Sequence, residues 1–346
     1  MLRELTESYQ PEKVLHRDEQ LKKISEVFKT FKKFQMGSNL LLQGYSGSGK
    51  TTTIIKSIQG KNGDYIMVSG ATNKTSYKLL KSIFDLNFNT VERTLSEGIK
   101  KFKNYPKIII IDEVNKLRNG VEIKDFFDNL NTIYRETSCP IIIITNQRGI
   151  IGLMPQDARL TLLFEKIDFK PYNALELKDI VEERVREIQK KHQIEIPEGR
   201  IQYICAIAGK EMDGSARAVL RIVQRSIIKD DFSNEAIAEA LTGILEEEWR
   251  EFIIGLSENQ QKFLSLLISL AKGNKKVSFP DILNKLSKYT PSRISQLLDI
   301  FQDYGIIKSE NINHGRAGGN KRFVSFTSEL IFNKISNLTE EILPLE

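Results

Sequence analysis

The chain has 346 residues, 40% hydrophobic and 28% charged, an ordinary soluble composition with room for two or three domains. Its apolar runs are too short to span a bilayer and "MLRELTESYQPEK" lacks the apolar core of a signal peptide, so a cytoplasmic protein is expected. Two cysteines (Cys139, Cys205) and three scattered histidines argue against a disulfide framework or a zinc site, while a net charge of +6 points toward a polyanionic partner.

In chain order, Asp18 in "VLHRDEQLKKI" fits the cap of an amphipathic helix. The run Leu40–Leu42 predicts a buried strand, and Gly44-Tyr45-Ser46-Gly47-Ser48-Gly49-Lys50-Thr51 follows, a full G-x-x-x-x-G-K-[ST] motif opening a helix that takes in Thr52. In that context the backbone N–H groups of Ser46, Gly47, Ser48 and Gly49 converge on phosphates, reinforced by the helix N-terminus. Lys50 is expected to reach the β- and γ-phosphates and Thr51 to bind Mg²⁺. "KIIIIDEVNKL" predicts a buried parallel strand that ends in Asp112, a second Mg²⁺ ligand, and Glu113, which would orient and deprotonate an attacking water. Acidic residues after a strand also serve as plain helix caps. "PIIIITN" predicts a third strand ending at Asn146, either a water-positioning group at the γ-phosphate or a simple strand-end residue.

The pattern changes near Leu256. Three helical stretches precede two short β-like runs around "GIIKS" and "RFVSFT", the order of a winged helix. Thr290 caps the third helix, Pro291 takes its first position and Gly305 stops it. "HGRAGGNKRF" is then the wing tip, since it lacks the strand-loop-helix context of a phosphate loop. Arg316, Lys321 and Arg322 are expected on DNA phosphates or in the minor groove, and Ser292, Arg293 and Gln296 at base edges. Residues 256–330 hold eleven Lys/Arg against six Asp/Glu. A protein-docking role for the same module stays open.

Together these motifs resemble the AAA+ ATPases, and most of all the archaeal origin-recognition initiators, relatives of eukaryotic origin recognition complex subunits, over nearly the whole chain. The resemblance implies an α/β fold: an AAA+ P-loop base domain with a parallel sheet (1–168), a helical lid (169–249) and a winged-helix DNA-binding domain (250–346). It places Val14, Leu15 and Arg17 around the adenine, with Tyr172 at the turn into the lid. It implies an arginine finger at Arg159, acting on a neighbour's nucleotide, and a lid arginine at Arg217 reaching the γ-phosphate. Residues 72–103 resemble the initiator insertion that touches DNA, with Lys74, Lys78 and Lys81 as candidates that equally fit a solvated helix face. Ser215 and Asn115 stand where that family usually has acidic residues, which leaves the turnover rate open.

The expected protein is a slow ATPase that uses ATP/ADP and Mg²⁺ as a switch, binds double-stranded origin DNA, and meets other initiator copies and the replicative helicase. A signalling switch ATPase and a transposition helper are the competing readings.

Overall fold

In the computed structural model, residues 2–61, 63–117, 120–147, 149–212, 214–272, 276–286, 289–303, 306–313, 320–327 and 329–343 are described. Helix α1 (Asp18–Phe34) is followed by β1 (Leu40–Gly44), α2 (Lys50–Ile58), β2 (Tyr65–Ser69), α3 (Ser76–Phe84), α4 (Val91–Asn104), β3 (Ile108–Asp112), α5 (Gly120–Thr137), β4 (Ile141–Thr145), α6 (Gln156–Leu162) and β5 (Glu165–Phe169). Helices α7 (Ala174–Gln189), α8 (Arg200–Glu211), α9 (Ala216–Lys229) and α10 (Asn234–Gly255) come next. The chain ends in α11 (Glu258–Ala271), β6 (Val277–Ser278), α12 (Phe279–Lys285), α13 (Pro291–Asp303), β7 (Ile307–Asn313), β8 (Asn320–Phe326) and α14 (Glu329–Ile342). It divides into two compact units, Met1–Ile237 and Ala238–Glu346.

The first unit is built on a sheet that, among the described residues, has five parallel strands in the order β2-β3-β4-β1-β5. β3 and β4 are buried along their whole length, as expected when helices cover both faces. Alternation sends successive isoleucines to opposite faces. Ile109, Ile111, Ile141 and Ile143 pack with residues of α3 to α6, whereas Ile108, Ile110, Ile142 and Ile144 pack with α1 and α2.

Strand β5 was not anticipated. β5 alternates exposed and buried residues, with only Ile167 and Phe169 inward, so it gives no continuous apolar run. It pairs with β1 from Leu40↔Glu165 to Gly44↔Phe169, and the sheet therefore continues to Phe169, one residue past the expected base boundary.

Helices α7, α8 and α9 pack on one another within the same unit. Asn173 and Glu176 form a reciprocal capping box at the start of α7. The 3₁₀ turn Arg3–Leu5 packs against α7 and α9.

The second unit packs three helices against the antiparallel sheet β6-β8-β7. Phe263, Ile294, Leu297, Leu298, Phe301 and Val324 lie in its core. Ion pairs Arg250–Glu341 (2.8 Å) and Lys272–Glu340 (2.6 Å) fasten α14 to α10 and α11. No helix among the described residues is long and apolar enough to cross a membrane.

Asn39 ties three parts of the first unit together. Its Nδ2 donates to the Leu162 carbonyl (2.6 Å), its Oδ1 accepts from the Ile141 N–H (2.8 Å), and its own carbonyl accepts from the Glu165 N–H (2.9 Å). Asn39→Ala strands two buried backbone groups and is expected to cost about 2–3 kcal/mol. Urea unfolding should show a lowered midpoint at unchanged slope, and an unmoved midpoint would contradict this role.

Candidate nucleotide and nucleic-acid sites

The strand order decides the site. β1 lies between β4 and β5, and β4 lies between β3 and β1, so the carboxyl ends of β1, β3 and β4 open onto one region. Gly44 ends β1, the loop turns through Gly47 (φ 74°) and Gly49 (φ 87°), and α2 begins at Lys50. Both glycines also admit a close neighbour: a Cβ at Gly47 would overlap Ser215 Oγ, and one at Gly49 would sit 2.5 Å from Tyr172 Oη.

Lys50 Nζ donates to the Gly44 and Tyr45 carbonyls, at 2.7 Å each. Its burial pushes the ammonium down to about 8, against the opposing pull of Asp112. Thr51 Oγ1 donates to Asp112 Oδ2 at 2.8 Å, while Asp112 Oδ1 accepts from the Glu113 N–H at 2.8 Å. Burial raises the Asp112 carboxyl above its ordinary value, and those hydrogen bonds restrain the rise. A hydroxyl and a carboxylate oxygen thus stand together as hard donors of the type Mg²⁺ takes. These two donors supply part of such an ion's shell, which phosphate and water would complete.

Glu113 adopts a left-handed conformation (φ 55°), and its Oε2 accepts from Ser69 Oγ at 2.9 Å. Ser69 ends β2, opposite Asp112 in the pairing register. Asn146 follows β4, half-buried, between the ends of β3 and β1. Ser46 is exposed, Ser48 is buried with its Oγ on the Tyr45 carbonyl (2.8 Å), and Thr52 is half-buried in the first turn of α2.

The lid helices reach this loop directly. Ser215 caps α9 by accepting from the Ala218 N–H, and the Ala216 N–H donates to the Gly47 carbonyl at 3.2 Å. Arg217 Nη1 donates to Ser46 Oγ (3.3 Å) and its Nε lies 3.2 Å from Glu7 Oε1.

Arg17 takes a place that its expected role at the adenine did not foresee. Its guanidinium donates to the carbonyls of His16 (2.8 Å), Ser48 (3.1 Å) and Lys170 (2.8 Å), and lies 3.7 Å from the Tyr172 ring centroid. It is a buried joint, and Val14 and Leu15 are half-buried just before it. Arg159 is exposed on α6, with Nη2 near the carbonyls of Gly152 (3.5 Å) and Met154 (3.3 Å). Lys74 and Lys78 are exposed near the start of α3, and Lys81 is engaged by Asn87 Oδ1 at 2.9 Å.

In the second unit, Ser292, Arg293 and Gln296 share the exposed front of α13, where Arg293 Nη1 donates to Gln296 Oε1 (3.2 Å). Arg322, expected on DNA phosphates or in the minor groove, has partners within its own unit. It bonds Ser295 Oγ (3.3 Å), Asp299 Oδ1 (3.3 Å) and Ser309 Oγ (3.1 Å), stapling β8 to α13 and β7. Arg316 and Gly305 lie outside the described residues, as does the side chain of Lys321.

Sequence reasoning missed Ser69, Glu7 and the contact of Ser215 with the loop. Ser69 at the end of its strand carried the only local signal, a polar residue closing an apolar run beside the acidic strand.

Residues 40–172 match the family described as ATPase family associated with various cellular activities (AAA). The chain therefore carries an AAA-family domain. Its relatives are archaeal: it is 24% identical to ORC1-type DNA replication protein 1 of Sulfurisphaera tokodaii, over 99% of this chain and 94% of that protein. It is 29% identical to the ORC1-type DNA replication protein of Picrophilus torridus, over 65% of this chain and 59% of that one. Its fold is that of the Aeropyrum pernix ORC1 protein, solved in complex with DNA (TM-score 0.69, 22% identity, 98% of this chain and 96% of that one). It also matches the Aeropyrum pernix ORC2 protein, solved in ADPNP–ADP complexes (TM-score 0.62, 14% identity, 99% and 98%). The expected fold class, an AAA+ α/β domain resembling archaeal initiators, is borne out.

Both sites can be probed through their cations. The Lys50 cation is the form suited to a phosphate, and its burial brings loss of the proton down to about pH 8. Nucleotide binding must then take up a proton above that pH, so affinity should stay level below pH 8 and fall by up to about tenfold per pH unit above it. Calorimetric titration from pH 7 to 10 measures this, and a flat profile to pH 10 would contradict it. Separately, Arg322→Ala should lower the unfolding free energy of the second unit by about 1 kcal/mol, given its part exposure, while Arg293→Ala leaves it unchanged. Thermal unfolding of the two variants separates a staple from an exposed surface cation.

Proposed function

We propose that this chain is an ATP-dependent DNA replication initiator that grips duplex origin DNA through the front of α13, the wing and the α3 region. The observation that carries the reading is one chain in which a phosphate loop, touched by a lid arginine, is joined to a winged helix. The similarity to ORC1-type proteins along most of its length supports it.

The roles follow from position. The loop amides and Lys50 hold the phosphates, with Val14, Leu15 and Tyr172 toward the base. A Mg²⁺ ion held by Thr51 and Asp112 would neutralise charge on the phosphates of bound ATP or ADP. Glu113, aimed by Ser69, accepts a proton from the attacking water, and Asn146 positions that water. Arg217 reads the terminal phosphate from the lid, and Arg159 acts on the nucleotide of a neighbouring copy. ATP state would then tune the DNA-bound geometry and recruitment of the replicative helicase.

Lys50→Ala is expected to abolish ATP binding. Glu113→Gln should keep binding but slow hydrolysis about 10²- to 10³-fold. Nuclease footprinting on intergenic DNA of its own replicon, with ATP and with ADP, tests the initiator reading beside Arg293→Ala/Gln296→Ala. A discrete protected site lost in that variant supports it. Uniform coating points instead to a transposition helper, and no protection at moderate salt to a switch ATPase whose winged helix docks protein.

A further inference from the structure

The two cations of the nucleotide site have different partners. Lys50 is turned onto carbonyls of its own loop, whereas Arg217 meets a carboxylate from the far N-terminus of the chain, Glu7 Oε1, at 3.2 Å. The same guanidinium reaches Ser46 Oγ, so the ion pair stands at the mouth of the phosphate loop.

Glu7 is held there by its flanks. On one side, Leu5 is buried, Glu4 Oε1 accepts from Lys191 Nζ at 2.7 Å, and the Leu2 carbonyl accepts from Gln224 of α9 at 3.5 Å. On the other, Arg184 of α7 lies 4.8 Å from the Tyr9 ring centroid. The segment is thus fastened to the lid helices before and after Glu7, and its carboxylate stays at high local concentration beside Arg217. The pair itself is half-exposed, at 42% for Arg217 and 51% for Glu7, so it is solvent-screened and exchangeable.

We propose that Glu7 is a tethered anion that competes with the terminal phosphate of a nucleoside triphosphate for Arg217, making the N-terminal segment a determinant of triphosphate-over-diphosphate selectivity. This rests on the nucleotide reading above. The Nε edge of the guanidinium that Glu7 occupies, with one Nη, is one of the two edges that grip an oxyanion in a two-pronged manner. A terminal phosphate that takes that edge displaces the carboxylate. A diphosphate lacks the competing group and leaves the pair closed. Removing the Glu7 charge therefore favours the triphosphate alone.

The test is calorimetric titration of ATP and of ADP into the full chain at low ionic strength, for the unmodified protein, Glu7→Gln, Arg217→Ala and the double variant. Glu7→Gln is expected to tighten ATP about two- to fivefold, the range of an exposed ion pair, and to leave ADP unchanged. The gain should vanish in the Arg217→Ala background and shrink in roughly 0.5 M salt. An unchanged ATP affinity, an equal shift for both nucleotides, or a gain that survives Arg217→Ala would overturn the proposal while the nucleotide site stood. If the unmodified protein bound neither nucleotide, the site reading itself would fall and this inference with it.

Discussion

A guanidinium is buried at tolerable cost only when its N–H groups find acceptors, and Arg17, 4% exposed, finds them in three different segments. The His16 carbonyl comes from the N-terminal segment, the Ser48 carbonyl from the phosphate loop, and the Lys170 carbonyl from the connection between β5 and α7. The Tyr172 ring covers the cation's face. Burial lowers the Arg17 pKa below its ordinary value, yet a guanidinium remains charged through such a shift. The cation is satisfied only when all three segments converge, so one side chain joins the entry to α1, the phosphate loop and the passage to the lid helices. A lysine would carry the charge without the planar fork that reaches three acceptors at once.

That joint sets the contact of the lid helices with the loop. Tyr172, stacked on Arg17, sits against Gly49 and donates its backbone N–H to the Gly214 carbonyl at 3.3 Å. Gly214 adopts a positive φ of 63° just before Ser215, which caps α9. The first turn of α9 is thereby laid on Gly47, with the Ala216 N–H on its carbonyl and Arg217 on Ser46. A shift of the phosphate loop is therefore felt at the start of α9 through backbone hydrogen bonds as well as through charge.

The parts of this site that could be read in the sequence were those whose chemistry is local. The phosphate loop, the strand ending in Asp112 and Glu113, and the strand before Asn146 each carry their structural context within about a dozen residues. The helix order of the winged unit was legible for the same reason, since a cap such as Thr290 acts over three residues. Pairings across long stretches of chain were not legible. Glu7 meets Arg217, and Ser69 meets Glu113, because of the sheet order and the lid packing; a polar residue closing the β2 run hints at the second pair, and nothing near Glu7 or Arg217 announces the first. Strand β5 escaped because its outward residues are Glu165, Lys166 and Asp168, which erase the apolar run. Arg322 shows the limit of reading charge. Its cation fits a DNA phosphate by composition, but whether it is free depends on Asp299 and Ser309, which only the packed unit brings to it.

The electrostatics of the site bear on what it is built to hold. Burial pushes Lys50 down and Asp112 up, opposite shifts with one cause: a poorly solvated pocket penalises each charge, and each is eased by the other. An anion entering alone would steady Lys50 and Arg217 but press the buried Asp112 further toward its neutral form. A divalent cation entering alone would steady Asp112 and press Lys50 further down. A polyphosphate and its counter-cation arriving together relieve both, because each new charge meets a buried partner of opposite sign. The Thr51–Asp112 hydrogen bond fits this pairing, since it keeps a hydroxyl and a carboxylate oxygen side by side next to the loop that carries Lys50. The arrangement therefore favours an anion and a divalent cation arriving together over either alone, and it does so through desolvation of its own residues.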